Sequence, residues 1–355
     1  FSYNSLNTYM LAAIIRRRSG QTLSAYLGPR LFEPLGISAH PWELSPTGIE
    51  KGGWGLNLTA ESAAKIGQLY LNRGLWTVNG EPKRLLSEDW VEAATKAQIE
   101  TPDGEITYGY GYQIWKTAEE GSFLFNGMLG QYMLALPALD MLVVLLSGSP
   151  QLFAQGPFLD IVTKAFDTVK DYPLPADPAA RDALMVTSKS LSVRYRSAFY
   201  RPDWSGPSFT DIVQRLNGLV YRFDENVAGL FPLILMCVHN NFSSGIERIA
   251  FRAEEDGLII EFVEGEARHQ LRVLANGYAE SSLSMQGDYY IVRTDIQTSA
   301  LPHEGWLLRL NAHFVETPYT RLVEFRFSDG ELTVLFDEYP SLSDAATMLM
   351  ELAGL

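Results

Sequence analysis

Cysteine is nearly absent. Cys237 is the single one in 355 residues, which excludes an internal disulfide framework and a zinc site built on cysteine thiolates, and leaves the compartment open between cytoplasm and export. Long apolar runs are missing as well. The richest, Met133 to Leu146, is interrupted by Pro137 and Asp140, so no segment reaches the roughly eighteen residues that a spanning helix needs. Positive charge is scarce: 28 Lys and Arg stand against 42 Asp and Glu, a formal net charge of −14, and the basic run Arg16-Arg17-Arg18 is short. A nucleic-acid-binding face is excluded on that balance. Gly52-Gly53-Trp54-Gly55 lacks the Lys-Ser/Thr of a phosphate loop. His40, His239, His269, His303 and His313 show neither H-E-x-x-H nor paired spacing, so each reads as a surface or hydrogen-bonded residue. No metal and no cofactor is expected.

What is present suffices for a large core. The chain is 46% hydrophobic and 20% charged, the balance of a globular protein, and its length favours two domains over one. Helical spacing covers Asn7 to Arg18 and about Leu23 to Phe32. Thr59 is placed to cap a helix with the stripe Ala63, Ile66, Leu69 and Tyr70, and Ser87-Glu88-Asp89 starts another around Trp90 to Gln98. Short strands are expected at Gly109–Trp115, Phe123–Asn126, Gln131–Leu136 and Met141–Leu146, with connections tight enough for antiparallel pairing. A helix at about Phe158 to Val169 closes this unit. The reading is α+β, an antiparallel sheet flanked by helices over residues 1–170.

Three prolines in Asp171 to Pro178 stiffen a linker, taken as residues 171–180. Beyond it, over 181–355, alternation predicts strands near 219–224, 230–238, 246–251, 257–263, 267–274, 287–293, 305–313, 319–328 and 331–337. Such a meander is able to curl into an all-β antiparallel, barrel-like domain. A short helix is expected at about Leu342 to Leu352. The second part is the more acidic: residues 1–172 hold 13 basic and 17 acidic side chains, the remainder 15 and 25.

Two local patterns bear on chemistry. Ser62-Ala63-Ala64-Lys65 is the one Ser-x-x-Lys in the chain, a spacing that lets an amine reach a hydroxyl one helical turn away. It sits inside an amphipathic helix, and the structural reading is preferred. Tyr3 precedes a helix start at which Asn4 or Ser5 is able to cap, and a phenol held near a cation can act as a base. Acidic pairs such as Glu119-Glu120 fall in turns.

Taken in order, Phe1-Ser2-Tyr3-Asn4-Ser5, Leu31-Phe32-Glu33-Pro34-Leu35-Gly36-Ile37, Gly52-Gly53-Trp54-Gly55-Leu56, Gln68-Leu69-Tyr70-Leu71, Leu85-Leu86-Ser87-Glu88-Asp89-Trp90, Gly109-Tyr-Gly-Tyr-Gln113 and Gly127-Met-Leu-Gly-Gln131 resemble the serine β-lactamase-related hydrolases of the class C type. That group includes β-lactamases, D,D-peptidases, D-aminopeptidases and esterases, and the resemblance covers about residues 1–170. It implies part of a penicillin-binding-protein-like transpeptidase fold, with a lipocalin-like appendage after it. It also implies that Tyr3 is the tyrosine of a Tyr-x-Asn motif that assists proton transfer, with Ser5 in the place of the usual Asn. Phe125-Asn126-Gly127 stands where the family has Lys-Thr-Gly or His-x-Gly, so Asn126 and Gly127 would line the cleft and the N–H of Met128 would serve as an oxyanion donor. Trp54 is a candidate wall.

The family's nucleophilic Ser-x-x-Lys precedes the tyrosine motif, whereas two residues precede Tyr3 here. We therefore expect a fragment, processed product or trimmed chain whose nucleophile lies on an upstream segment of the same protein, and which is inactive alone. The expected function is part of a serine hydrolase acting through an acyl-enzyme on a small-molecule or peptide amide or ester, peptidase or esterase being favoured over β-lactamase because the cationic residue before Asn126 is missing. The competing expectation is a catalytically inactive binding protein on a degenerate hydrolase scaffold. Tyr289, Tyr290, Trp306 and Phe314 give the second part aromatic content sufficient for a ligand cavity, but fit ordinary sandwich or barrel packing better.

Overall fold

The computed structural model describes residues 3–101, 109–147, 156–166, 168–170, 172–198, 206–239, 242–275, 277–285, 288–302, 305–317, 319–328, 330–341, 343 and 350. Two compact units divide the chain, Phe1–Pro173 and Leu174–Leu355.

The first unit opens with helices that begin at side-chain caps. Asn4 accepts from the Leu6 N–H at the start of α1 (Ser5–Ser19), and Gly20, in the left-handed region at φ 72°, ends it. Thr22 caps α2 (Leu23–Leu27), which runs on as a π-helical turn over Gly28–Phe32. Thr59 caps α3 (Ala60–Leu71) and Ser87 caps α4 (Glu88–Thr95). Each cap supplies an oxygen to an otherwise orphaned first-turn N–H.

Between α3 and α4 stands a hairpin absent from the sequence reading, β1 (Leu75–Val78) with β2 (Glu81–Arg84). Its turn is Asn79-Gly80, both at positive φ, a pair of residues suited to a tight type I′ connection. A four-stranded antiparallel sheet follows: β3 (Trp115–Lys116), β4 (Phe123–Gly127), β5 (Gln131–Leu136) and β6 (Met141–Leu146), in that order. The strand expected at Gly109–Trp115 shrinks to a bridge at Tyr110 and the two residues of β3.

Alternation along β4 and β5 gives the sheet two apolar faces. Leu124, Tyr132 and Leu134 pack with Val162 and Phe158 of α5 (Gly156–Phe166), while Phe123, Phe125 and Ala135 face Ala94 of α4 and Tyr70 of α3. Gly67 of α3 lets the helix approach the sheet, since a Cβ there would lie 2.7 Å from a Leu142 methyl.

The second unit is not strands alone. Helix α6 (Pro178–Ala198) begins inside the stretch expected to be a linker, and α7 (Phe209–Leu216) starts at a capping box of Ser208 and Asp211. After β7 (Val220–Val227), residues expected as a strand at 230–238 form α8 (Leu233–His239) instead. Periodicity misleads here because the run is apolar throughout. Pro232 precedes the helix, and its first N–H, that of Leu233, donates to the Glu338 carboxylate at 2.9 Å, a partner 105 residues away.

The remaining strands are β8 (Ile246–Ala253), β9 (Gly257–Glu264), β10 (Ala267–Leu274), β11 (Ala279–Met285), β12 (Asp288–Ala300), β13 (Trp306–Phe314), β14 (Thr320–Ser328) and β15 (Glu331–Tyr339). They form two antiparallel sheets, β10-β9-β8-β7 and β11-β12-β13-β14-β15. The barrel expected from the meander is corrected: the sheets do not close. At the β10–β11 junction side-chain hydroxyls replace the ladder, the Arg272 N–H donating to Ser281 Oγ at 3.0 Å and the Thr294 hydroxyl donating to the Arg272 carbonyl.

The interior is occupied rather than hollow. Phe231, from the segment before α8, packs against His269, Tyr290 and Phe314, and Trp306 stacks on Phe327 with centroids 4.0 Å apart. Glu264 receives the Leu230 N–H at 2.5 Å and the Ser243 hydroxyl, and Arg321 donates to the Gly229 carbonyl at 2.7 Å. Carboxylates and a guanidinium from both sheets thus pin this inserted segment. The helix expected at Leu342 to Leu352 lies outside the described residues apart from positions 343 and 350.

Candidate active site

Tyr3 stands directly before the capped start of α1. Its ring packs on Trp115 with centroids 5.8 Å apart and edge-on to Tyr110 at 6.2 Å. Trp115 is paired with Leu124 across β3 and β4, so the two side chains share a face, and Asn126, two residues beyond Leu124, shares it as well. The phenol is therefore brought to the strand next to the one that holds Asn126. Among the described contacts no hydrogen bond joins Tyr3 to Ser5, Asn126, Gly127 or Met128, and no cation pairs with it.

Tyr110, packed edge-on against both Tyr3 and Trp115, has its phenol pushed up to about 12, chiefly by burial and further by the neighbouring Tyr3. Lys116 points to the opposite face of β3 from Trp115 and donates to the Ser122 carbonyl. Burial lowers its pKa.

Asn126 carries the least satisfied atom of the group. Its Oδ1 is buried and accepts no hydrogen bond among the described residues, a deficit that typically costs about 1–3 kcal/mol. Gly127 and the following turn sit close to β5: a Cβ on Gly127 would meet Gln131 Cβ at 2.9 Å. Leu129 adopts φ 63° although it is not glycine, a strained conformation. The turn is held by Ser147, whose hydroxyl donates to the carbonyls of Leu129 and Gly130 at 3.2 and 3.1 Å, and by Gln131, which donates to the Ser147 carbonyl at 2.6 Å. Met128 sits at the head of that clamped turn.

Ser5 and Trp54 are placed along α1 instead, with Gly53 at Ser5 and Trp54 near Tyr9. Gly53 approaches Ser5 so closely that a Cβ would lie 2.4 Å from its carbonyl oxygen, and Gly52 does the same to Thr8 at 2.7 Å. The glycines are needed for this packing. Trp54 lies 6.5 Å from the Tyr9 ring, one turn beyond Ser5, and 6.0 Å from the Lys51 ammonium. Lys51 itself is buried and paired with Glu43 at 3.0 Å. Thr8, on α1, donates to Gln113 at 2.8 Å, which ties the helix to the loop before β3. Trp115 and Ser147 were missed by the sequence reading, and Tyr110 and Gln131 stood only within its motifs without a role, because cross-strand pairing and turn clamping leave no spacing signal.

Ser62 and Lys65 of α3 are engaged elsewhere. Thr59, the cap, donates to Ser62 Oγ at 3.0 Å. The Lys65 ammonium donates to the Gly36 carbonyl at 3.2 Å and pairs with Glu61 at 3.2 Å.

The family model described as Beta-lactamase matches residues 1–158, under half of the chain, and this segment is similar to that family. Among solved structures, the chain is similar to the "Putative 6-aminohexanoate-dimer hydrolase from Bacillus anthracis", with 27% identity and a TM-score of 0.37 over 48% of this chain and 43% of that one. The chain thus spans less than half the length of that relative. A search of the curated proteins found no match.

Proposed function

We propose that the first unit is the substrate-facing part of a class C-type serine hydrolase that works through an acyl-enzyme on amide or ester bonds. The observation that carries this reading is the placement of Tyr3 on the Trp115 ring, on the face and next to the strand where Asn126 holds a buried, unused acceptor. Tyr3 serves as the proton-transfer phenol, Ser5 orients, and the Asn126-Gly127-Met128 edge receives the acyl group, with Trp54 lining the far side. The attacking serine is not Ser62, whose lysine is spent on Gly36 and Glu61. It is supplied by polypeptide other than the residues of this chain, along with a cation for Tyr3, with which none pairs among the described residues.

Peptidase or esterase chemistry is favoured over β-lactamase chemistry because Phe125 gives no positive charge to hold a carboxylate. The test is the gene product that carries both the serine and this segment. Labelling by a fluorescent penicillin or a fluorophosphonate is expected, and Tyr3→Phe is expected to lower kcat by about 10²–10⁴ with KM little changed. An unchanged kcat removes Tyr3 from the mechanism. A second reading, an inactive binding protein on a degenerate hydrolase scaffold, is favoured by the engagement of Ser62 and Lys65. Failure of both probes to label a protein that contains the serine selects it.

A further inference from the structure

The outer face of the β11–β15 sheet carries a chain of polar side chains that no motif announces. His313 of β13 has its Nδ1 2.9 Å from the Thr320 hydroxyl of β14, and its Nε2 2.7 Å from Oδ2 of Asp295 on β12. The other carboxylate oxygen, Oδ1, accepts from the Asn311 amide at 2.7 Å. Register explains the assembly: Asp295 is opposite Asn311, His313 is opposite Thr320, and Asn311 and His313 are two residues apart on one strand. All four side chains therefore project from the same face.

Burial is graded along the chain. Asp295 is 2% exposed, whereas His313 keeps 27% of its side chain in solvent and Thr320 is half-buried. A buried carboxylate accepts only, so Nε2 of His313 carries the proton that faces it, and Nδ1 presents its lone pair to the Thr320 O–H. Hydroxyl, imidazole and buried acid stand in the relation that activates serine and threonine nucleophiles on unrelated folds.

A cleft of about 360 Å³ lies on the β10–β12 side of His313, away from Thr320, lined by Arg272, Leu274, Tyr278, Ala279, Glu280 and Arg293. Tyr278 packs on the His313 ring with centroids 5.8 Å apart, and Arg293 is the residue directly opposite His313 on β12. The cleft's positive charges are balanced locally: Arg293 Nε is bonded to Glu280 at 2.7 Å, and Arg272 is bonded to Glu254 and Asp256. That balance selects against a strongly charged ligand beside the imidazole.

We propose that Thr320, His313 and Asp295 form a second hydrolytic site, in the C-terminal unit, for small uncharged carboxylic esters. Thr320 Oγ bonds to the ester carbonyl carbon while its proton passes to Nδ1 of His313. Collapse of the adduct breaks the bond to the leaving alkoxide, which takes that proton. Water, deprotonated by the same nitrogen, then attacks the acyl-threonine, releasing the carboxylic acid and restoring the hydroxyl. Asp295 stabilises the imidazolium formed in each half and, fixed by Asn311, holds the ring in place. This site is independent of the reading of the first unit.

The experiment uses the full chain with p-nitrophenyl acetate as substrate and a fluorophosphonate as label, the adduct being located by peptide mapping. The expected result is one adduct at Thr320, retained in Thr320→Ser and absent from Thr320→Val, with turnover lowered about 10³-fold in Asp295→Asn. Ser62→Ala is expected to keep both label and turnover. An adduct at any other residue, no adduct on the parent chain, or undiminished turnover in Thr320→Val overturns the proposal. Mapping on the parent chain and the Thr320→Ser variant decide the matter even if Thr320→Val fails to fold.

Discussion

On helix α3, Ser62 and Lys65 lie one turn apart with their polar atoms turned to other partners: a cap hydroxyl for the serine, a carbonyl and a glutamate for the lysine. On the β11–β15 sheet, Thr320, His313 and Asp295 come from three strands and point at one another. The helix pair is half-buried, and its polar groups are satisfied by whatever lies beside them. The sheet cluster has its acid removed from water, where a charge without directed partners is costly. Spacing along one helix places two groups on one side of a cylinder, whereas cross-strand register also fixes which atoms face.

Ester turnover separates the two regions most sharply. Asp295→Asn is expected to cost about three orders of magnitude, while Lys65→Met leaves initial rates with p-nitrophenyl acetate within about twofold; equal effects would erase the distinction.

Stability comes next. Arg321 and Glu338, paired at 3.0 Å and 3% and 0% exposed, are the buried counterpart of the Lys65–Glu61 pair. Burial lowers the arginine's pKa and raises the carboxyl's despite their mutual attraction, so desolvation outweighs the pairing. Glu338→Ala is expected to destabilise by about 3–5 kcal/mol in denaturant titrations, and Glu61→Ala by about 1 kcal/mol or less. The double variant Arg321→Met with Glu338→Leu should recover part of the loss, limited by the Leu233 N–H and Gly229 carbonyl that the pair now satisfies.

A smaller effect is expected at Asn126→Leu. Removal of the unused buried acceptor is expected to stabilise the chain by about 1 kcal/mol while raising KM in the complete hydrolase; a variant that gains stability with unaltered KM marks Asn126 as idle. The smallest effect concerns acid. Glu261 is held below its ordinary 4.5 by hydrogen bonding from Gln270, and by Arg248, against the opposing pull of burial. Its contribution is present above that ordinary value and lost as pH falls through the lower folded one. Glu261→Gln is therefore expected to flatten the fall in melting temperature between pH 5 and about pH 3, by at most about 1 kcal/mol; an equal slope in both proteins would show that this carboxylate is not linked.

Legibility differed from element to element. Helices α1, α3 and α4 and strands β4 to β6 were readable because Asn4, Thr59 and Ser87 sit within three residues of the N–H groups they cap, and alternation in Gln131 to Leu136 is strictly local. Helix α8 was read as a strand since Leu233 to Val238 is apolar without a period, and its cap arrives from Glu338. Helix α6 was hidden by the prolines ahead of it, the last of which, Pro178, opens it. At the candidate active site, Tyr3 and the Asn126-Gly127 edge were singled out from their neighbours in the sequence, while the Trp115 ring that joins their surroundings was not.

Composition and local pattern settled what this chain lacks, where its caps and turns fall, and that its second half is built mainly of strands, since each depends on residues within about one turn or one strand of each other. Tertiary structure alone decided that the sheets stay open, that Phe231 fills the interior between them, that Lys65 answers to Gly36 rather than to Ser62, and that His313 lies between a hydroxyl and a buried acid. Those outcomes turn on partners on other elements, from 7 residues away for Thr320 and His313 to 29 for Gly36 and Lys65. Register and desolvation choose among them, and neither is written in any short stretch of chain.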